Sequence, residues 1–254
     1  MIGLPDLRID RGELEEHGFI QLPALASKPD LEEFERVVAA FCSAQIAARG
    51  IKQRHADPFV DVMLADEEYR RHLFPLLPRF HVVERITADV GTRLVQSGFL
   101  GRENFHAPLI WPYFRADLPN EEDYLLPFHQ DIYSTVSAKA WRIWLPMRRV
   151  DRHYGSMEVV VGSHKLGTVP HTEGVRPEAQ IAETAIAKQQ PVCLELPAGD
   201  GVLFHPNLVH RSVMNRSDRV KFVILIQIQD AMALHGPGKN PGRSRSSMSG
   251  VRKD

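Results

Sequence analysis

The chain has 254 residues, 43% hydrophobic and 25% charged, with a formal net charge of −1, a composition that supports one substantial buried core. Acids and bases nearly cancel, which excludes the basic excess of a nucleic-acid or anionic-membrane binder and points to small molecules or proteins as partners. Two cysteines, Cys42 in an apolar helical pattern and Cys193 in an expected strand, make no disulfide framework and fit a reducing cytoplasm.

Residues 1–16 carry Asp6, Asp10, Glu13 and Glu15 among few apolar positions, unlike the apolar centre of a signal peptide, and no apolar run approaches membrane-spanning length. A soluble, cytoplasmic chain is expected. Residues 18–22 read as a short strand. Ser27 is placed to cap the next helix, with Pro29 just inside and Asp30, Glu32 and Glu33 in its first turn. Leu31, Phe34, Val37, Val38, Phe41 and Ile46 then recur at helical spacing up to Gly50. A shorter helix is predicted over 66–77, stopped by Pro78, and a third over 80–95 with Gly98 beyond its end.

From Glu103 the texture changes to β. Short β-branched or aromatic runs at 104–114, 141–147, 156–161, 192–196, 201–205, 209–213 and 219–229 are separated by Gly, Pro, Asn and Asp. Helices followed by many short strands predict an α+β domain in which helices cover one face of a β-sandwich. In the last run Phe222, Ile224, Ile226 and Ile228 form an apolar face suited to helices. Arg219, Lys221, Gln227 and Gln229 share the other face with Val223 and Leu225, a mixture that belongs in a polar pocket or in solvent. One domain is expected over 1–235, helical to about residue 100, with no internal repeat. The Gly, Ser, Pro and basic stretch at 236–254 reads as a disordered tail.

In an extended segment side chains alternate faces, so His129 and Asp131 project to the same side and can grip one metal ion. A third ligand from His210 gives two imidazoles and a carboxylate on one face of an octahedron, the arrangement that holds non-haem Fe(II) with open positions.

Around these residues five landmarks follow in order: Pro127-Phe128-His129-Gln130-Asp131; Trp144-Leu145-Pro146-Met147; 155–165, which ends Gly162-Ser163-His164-Lys165; Gly199-Asp200-Gly201 leading to Phe204-His205; and His210-Arg211-Ser212 with Asn215-Arg216-Ser217-Asp218-Arg219. The succession resembles the phytanoyl-CoA dioxygenase-like family of Fe(II)- and 2-oxoglutarate-dependent oxygenases, built on a double-stranded β-helix, or jelly roll. The likeness runs from the Gly18-Phe19 strand to about Gln229. It implies an α+β fold with N-terminal helices packed on one sheet of the jelly roll.

Carried over residue by residue, the resemblance makes His129, Asp131 and His210 the iron ligands. His205 is a competing distal histidine, but only His210 precedes Ser by two and Asn by five. The family's 2-oxoglutarate chelates the metal, and a basic residue and a hydroxyl hold its far carboxylate. Ser212 matches the hydroxyl, Trp144 is placed either to line the cosubstrate pocket or to fill the core, and Gln130 between the ligands is assigned to cofactor binding. The basic residue departs from the family pattern: Lys221 stands where Arg is usual, and Arg219 two residues earlier on the same face is its rival. The entrance is expected from 104–124 and from the loop 148–154, whose Arg148, Arg149, Arg152 and His153 suit either an anionic substrate or solvent.

The resemblance therefore implies a dioxygenase that hydroxylates a small-molecule metabolite, with succinate and CO2 as coproducts. Two other readings stay open at this point. One is a jelly-roll binding or regulatory protein without turnover, and the other a cupin-like metal enzyme that does not use 2-oxoglutarate.

Overall fold

Polar caps start and stop the N-terminal helices. In the computed structural model, which describes residues 6–101, 105–172, 180–181, 184, 186 and 189–234, helix α1 (Arg11–His17) opens on Asp10, whose carboxylate accepts from the backbone N–H of Gly12 and Glu13. After strand β1 (Phe19–Leu22) comes α2 (Lys28–Arg49), which begins with the predicted Ser27 cap, reciprocated by Asp30, and ends on Gly50. Helix α3 (Pro58–Leu64), capped by Asp57 with Pro58 at its first position, is not expected from the sequence reading although both signals are there. The helix predicted over 66–77 divides into α4 (Glu67–Leu73) and a 3-10 turn (Phe74–Arg79), because Pro75 and Pro78 lack the N–H groups that would continue it. Helix α5 (His81–Gln96) follows. Among the described residues no helix is long and apolar enough to cross a membrane.

The remaining strands are β2 (Pro108–Asp117), β3 (Ala140–Pro146), β4 (Met157–Val159), β5 (His171–Thr172), β6 (Gln180–Ile181), β7 (Val192–Cys193), β8 (Gly201–Phe204), β9 (His210–Ser212) and β10 (Lys221–Asp230). Five form an antiparallel sheet in the order β1-β8-β3-β10-β2, and three form a second sheet in the order β7-β4-β9. The long partners β10 and β2 pair from Lys221↔Asp117 to Asp230↔Pro108. Strand β2 is thus displaced toward the C-terminus from the predicted 104–114. The tail from Gly236 and the start of the predicted strand at Asn104 lie outside the described residues.

The last strand works as its alternation predicts. Phe222, Ile224, Ile226 and Ile228 are fully buried against the helices, joined there by Phe34 and Phe59, whose ring meets that of Phe222 edge-on at 4.9 Å. On the other face Val223 joins Trp144, Val202 and Phe204 in a second core shared with Met157 and Val159 of the smaller sheet and with Leu194 just after β7. The polar members of that face therefore point between the two sheets.

The start of β10 is set by the Asn-x-Ser landmark. Asn215 Nδ2 donates to the carbonyls of Asp117 (3.1 Å) and Arg219 (2.7 Å), while its Oδ1 accepts from the Ser217 N–H and hydroxyl. This knot holds 215–220 in a turn, so the strand begins at Lys221 and not at Arg219. Gly155 lies against the knot with φ of +74°, and a Cβ there would sit 2.8 Å from the Asn215 Cα. Gly155→Ala is expected to destabilise the protein by about 2–4 kcal/mol, from left-handed backbone strain plus a clash with backbone that cannot yield. A urea melt checks it: an unchanged midpoint contradicts the packing.

Candidate metal centre

His129 and His210 face each other across an isolated antiparallel bridge in which each backbone N–H donates to the other's carbonyl, at 2.9 and 3.1 Å. Their rings lie 4.2 Å apart, centroid to centroid. Each Nδ1 is held by the carbonyl two residues before it, Pro127 for His129 (2.8 Å) and Leu208 for His210 (2.9 Å). A carbonyl can only accept, so both Nδ1 atoms carry the proton and both Nε2 lone pairs are left for a metal.

Asp131 opens a 3-10 turn (Asp131–Ser134) and puts Oδ1 3.7 Å from His129 Nε2. One ligand atom from each of the three residues lies within 4.8 Å of the others. Burial, followed by repulsion from His210, holds the His129 imidazole down at about 4, so it is neutral and ready to ligate at ordinary pH. Burial alone would raise the Asp131 carboxyl, but Arg142 and then the two imidazoles outweigh it and keep it ionised. Arg142 Nε is 3.1 Å from Asp131 Oδ2, and its Nη2 donates to Ser134 Oγ at 2.6 Å. The donor set fits a divalent first-row metal held on one face, with Asp131 offering Oδ1 alone.

Below the three ligands a cavity is lined by Arg115, Trp144, Met157, Phe204, Ser212, Lys221 and Leu225 among others. The register orders the strands of the larger sheet on this face. The row Arg142–Gln227–Trp111 lies nearest Asp131, the row Trp144–Leu225–Tyr113 comes next, then Pro146–Val223–Arg115, and finally Lys221–Asp117. The Lys221 ammonium is pressed against Asp117, and Arg115 reaches the other oxygen of the same carboxylate with Nε at 3.2 Å and Nη2 at 3.0 Å. Asp117 is held at about 2: burial opposes its charge, and Arg115 and Lys221 more than compensate. Three cations, Arg115, Arg142 and Lys221, thus meet two carboxylates, Asp117 and Asp131, around one buried space. An uncompensated positive charge in such a place favours an anionic ligand.

The structure brings together His129, Asp131, His210, Ser212, Trp144 and Lys221. Two residues assigned from the sequence lie elsewhere. The Gln130 amide donates to the carbonyls of Gly167 (2.8 Å) and Asn207 (2.7 Å) and accepts from the Val169 N–H (2.9 Å), so it ties two loops together on the face away from the ligands. Arg219 is largely exposed, precedes β10, and lies 4.0 Å from Glu35 on the outer surface. His205 is outside the triad. Its Nδ1 accepts from Asn207 N–H and its ring packs edge-on against Trp141. The loop 148–154 does not line the metal cavity: Arg148 is bound to Glu35, Asp57 and the Val220 carbonyl, Arg149 pairs with Asp151, and Arg152 with Glu158. Its cations are engaged by carboxylates.

Arg115, Asp117 and Arg142 are site residues absent from the sequence reading. The signal for Arg142 is its position two before Trp144 on one strand, hence on the same face. Arg115 and Asp117 were hidden by ending their strand at Phe114.

A family model described as phytanoyl-CoA dioxygenase (PhyH) matches residues 14–223. The peroxisomal phytanoyl-CoA dioxygenase of Rattus norvegicus is 24% identical over 221 residues, which cover 80% of this chain and 62% of that protein, so the chain spans about three-fifths of its relative. Among solved structures, EctD from S. alaskensis with 2-oxoglutarate and 5-hydroxyectoine is similar with a TM-score of 0.62 at 16% identity, over 89% of this chain and 77% of the other. The epimerase SnoN in complex with Fe3+, alpha ketoglutarate and nogalamycin RO gives 0.53 at 18% identity, over 96% and 90%. At such identities the likeness speaks for the fold.

Proposed function

The chain belongs to the phytanoyl-CoA dioxygenase family, and we propose that it is an Fe(II)- and 2-oxoglutarate-dependent dioxygenase that hydroxylates a small-molecule metabolite within one jelly-roll domain. The observation that carries the reading is the triad itself: two imidazoles, each fixed as an Nε2 donor, and a carboxylate converge within 4.8 Å at a cavity whose wall holds a buried lysine. With iron bound at the triad, O2 would be the oxidant: one oxygen atom would go to the substrate and the other to 2-oxoglutarate, which would be oxidised to succinate and CO2.

The chain's own residues then have separate tasks. His129, Asp131 and His210 would hold the iron on one side and leave the opposite side to ligands. Arg142 occupies Asp131 Oδ2, which leaves this carboxylate one oxygen for the metal. Lys221 and Ser212 would bind the far carboxylate of the cosubstrate, a reading supported by their place in the same cavity. Trp144, Met157, Phe204 and Leu225 line it with apolar surface and exclude water from the reacting centre. The two free cysteines suit a reducing compartment such as the cytoplasm.

The test needs no knowledge of the substrate. Purified protein with Fe(II) should consume oxygen and 2-oxoglutarate slowly and release succinate, and His210→Ala should not. Iron binding without any 2-oxoglutarate turnover would favour the cupin-like or non-catalytic readings.

A further inference from the structure

We propose that Gln227, Trp111 and Tyr113 form the substrate subsite of this centre, and that the substrate presents an apolar ring or chain bearing a neutral oxygen acceptor, a carbonyl or hydroxyl, close to the carbon that is oxidised. The inference rests on the oxygenase reading for the word substrate, but the subsite stands on its own geometry.

The first observation is an oriented chain of amides. Gln229 is buried, and its Oε1 accepts from the backbone N–H groups of Val136 (2.8 Å) and Ser137 (3.0 Å). Backbone N–H groups only donate, so this fixes which end of the amide is oxygen. Gln229 Nε2 must then point the other way, and it donates to Gln227 Oε1 at 3.1 Å. That in turn fixes Gln227, whose Nε2 is left facing out of the relay. Among the described residues Gln227 Nε2 has no protein partner, and it is not among the buried atoms left unpaired, so it reaches solvent although the residue as a whole is only 6% exposed. An accessible donor whose direction is fixed from behind by a second amide can meet an acceptor that a ligand brings without first being reoriented.

Its position makes it a recognition group. Gln227 pairs across the sheet with Arg142, the residue that holds Asp131, and on its other side with Trp111. Its side chain projects to the same face as Leu225 and Lys221, both of which line the metal cavity. The donor thus sits one strand away from the side chain that positions a metal ligand.

The second observation is the apolar surface beside it. On the metal side of β2, an edge strand of the five-stranded sheet, Leu109 is 43% exposed and Tyr113 49% exposed, with Trp111 half-buried between them. Val136, next to the amide relay, is also exposed at 44%. Large apolar side chains on the inner face of a sheet are normally covered. Here they share the sheet face of Leu225 and Lys221, which line the cavity, and Trp111 pairs with Gln227 across the strands. A flat ring or an alkyl chain lying on Trp111 and Tyr113 would cover them and bring its oxygen to Gln227 Nε2.

The acceptor is neutral because the nearby cations are committed. Arg142 is engaged by Asp131 and Ser134, and Arg115 by Asp117 and the Tyr124 carbonyl. An amide donor is what remains to read the substrate.

The experiment compares 1-tetralone with tetralin, one skeleton with and without a carbonyl, by equilibrium dialysis against the anaerobic protein loaded with Fe(II) and 2-oxoglutarate. Wild type should bind tetralone about fivefold more tightly, the range of one buried neutral hydrogen bond. Gln227→Leu should abolish that preference and leave tetralin binding unchanged. Gln227→Met, which removes the donors from an unbranched side chain, should do the same should the leucine variant not fold. Trp111→Ala should weaken both probes. Equal binding of the two probes by wild type, a preference that survives loss of Gln227, or no binding of either at millimolar concentration overturns the subsite. The 2-oxoglutarate charge-transfer band recorded on the same samples separates the two levels: a normal band without the preference overturns the subsite alone, and the preference without a band overturns the oxygenase reading alone.

Discussion

His129→Ala and His210→Ala are each expected to lose stoichiometric Fe(II) binding, with affinity falling by more than about a hundredfold, while His205→Ala keeps it. The two ligands are built alike, each with Nδ1 spent on the carbonyl two residues before it, so neither can be replaced by a shift of the other. A change in the groups behind a metal ligand already costs about ten- to a hundredfold, and loss of the ligand itself costs more. Neither substitution empties the main core, so the circular dichroism spectrum should not change. His205 has the opposite environment. It is half-buried against Trp141 and His164, and desolvation there, followed by His164, pushes its imidazole down to about 4. That makes it a neutral packing residue. Iron titration followed by separation of bound from free metal decides the matter, and retention of iron by His210→Ala with its loss in His205→Ala would reverse the assignment.

Spacing separates these two histidines, because strand β9 carries His210 and Ser212 on one face while His205 follows the end of β8 at Phe204. The apolar stripe Phe222–Ile228 likewise announces which side of β10 meets the helices, whereas its mixed counterpart leaves a polar pocket and solvent equally open, and the second sheet decides between them. What the sequence reading placed badly depends on where strands begin and on where side chains find partners. Arg219 is equivalent to Lys221 by alternation alone, but Asn215 and Ser217 delay the strand by two residues and leave Arg219 outside it. Gln130 lies between two ligands in sequence, yet alternation turns it to the opposite side, where three backbone groups claim its amide. The loop 148–154 has the charge of an anion site, but charge in a sequence does not reveal the carboxylates of Glu35, Asp57, Asp151 and Glu158 that neutralise it. Cross-strand neighbours such as Arg115 and Asp117 become visible only when the register of β2 on β10 is known.

Lys221→Ala is expected to raise the dissociation constant of 2-oxoglutarate about a hundredfold, with iron affinity nearly unchanged. The ammonium is buried in the wall of the cavity, where burial pulls its pKa down and Asp117 partly restores it. A charge-assisted hydrogen bond in such a place is worth roughly 3 kcal/mol, which converts to the stated loss. The fold should survive, because Arg115 continues to neutralise Asp117 once Lys221 is gone. Lys221→Arg should recover part of the binding, since the charge returns on a longer side chain that needs a different angle. Arg219→Ala should change the constant by less than about twofold, because its guanidinium faces Glu35 on the outer surface and an exposed pair of that kind contributes little. Asp117→Asn supplies the sign test. It keeps the shape of the cavity and removes the anion that competes for Lys221, so 2-oxoglutarate should bind more tightly than to wild type. Titration of 2-oxoglutarate into the anaerobic Fe(II) protein, followed by its charge-transfer band, measures all four variants. Tighter binding in Asp117→Asn together with weak binding in Lys221→Ala places the far carboxylate against Lys221; an Arg219→Ala protein that alone loses affinity would move it to the outer surface.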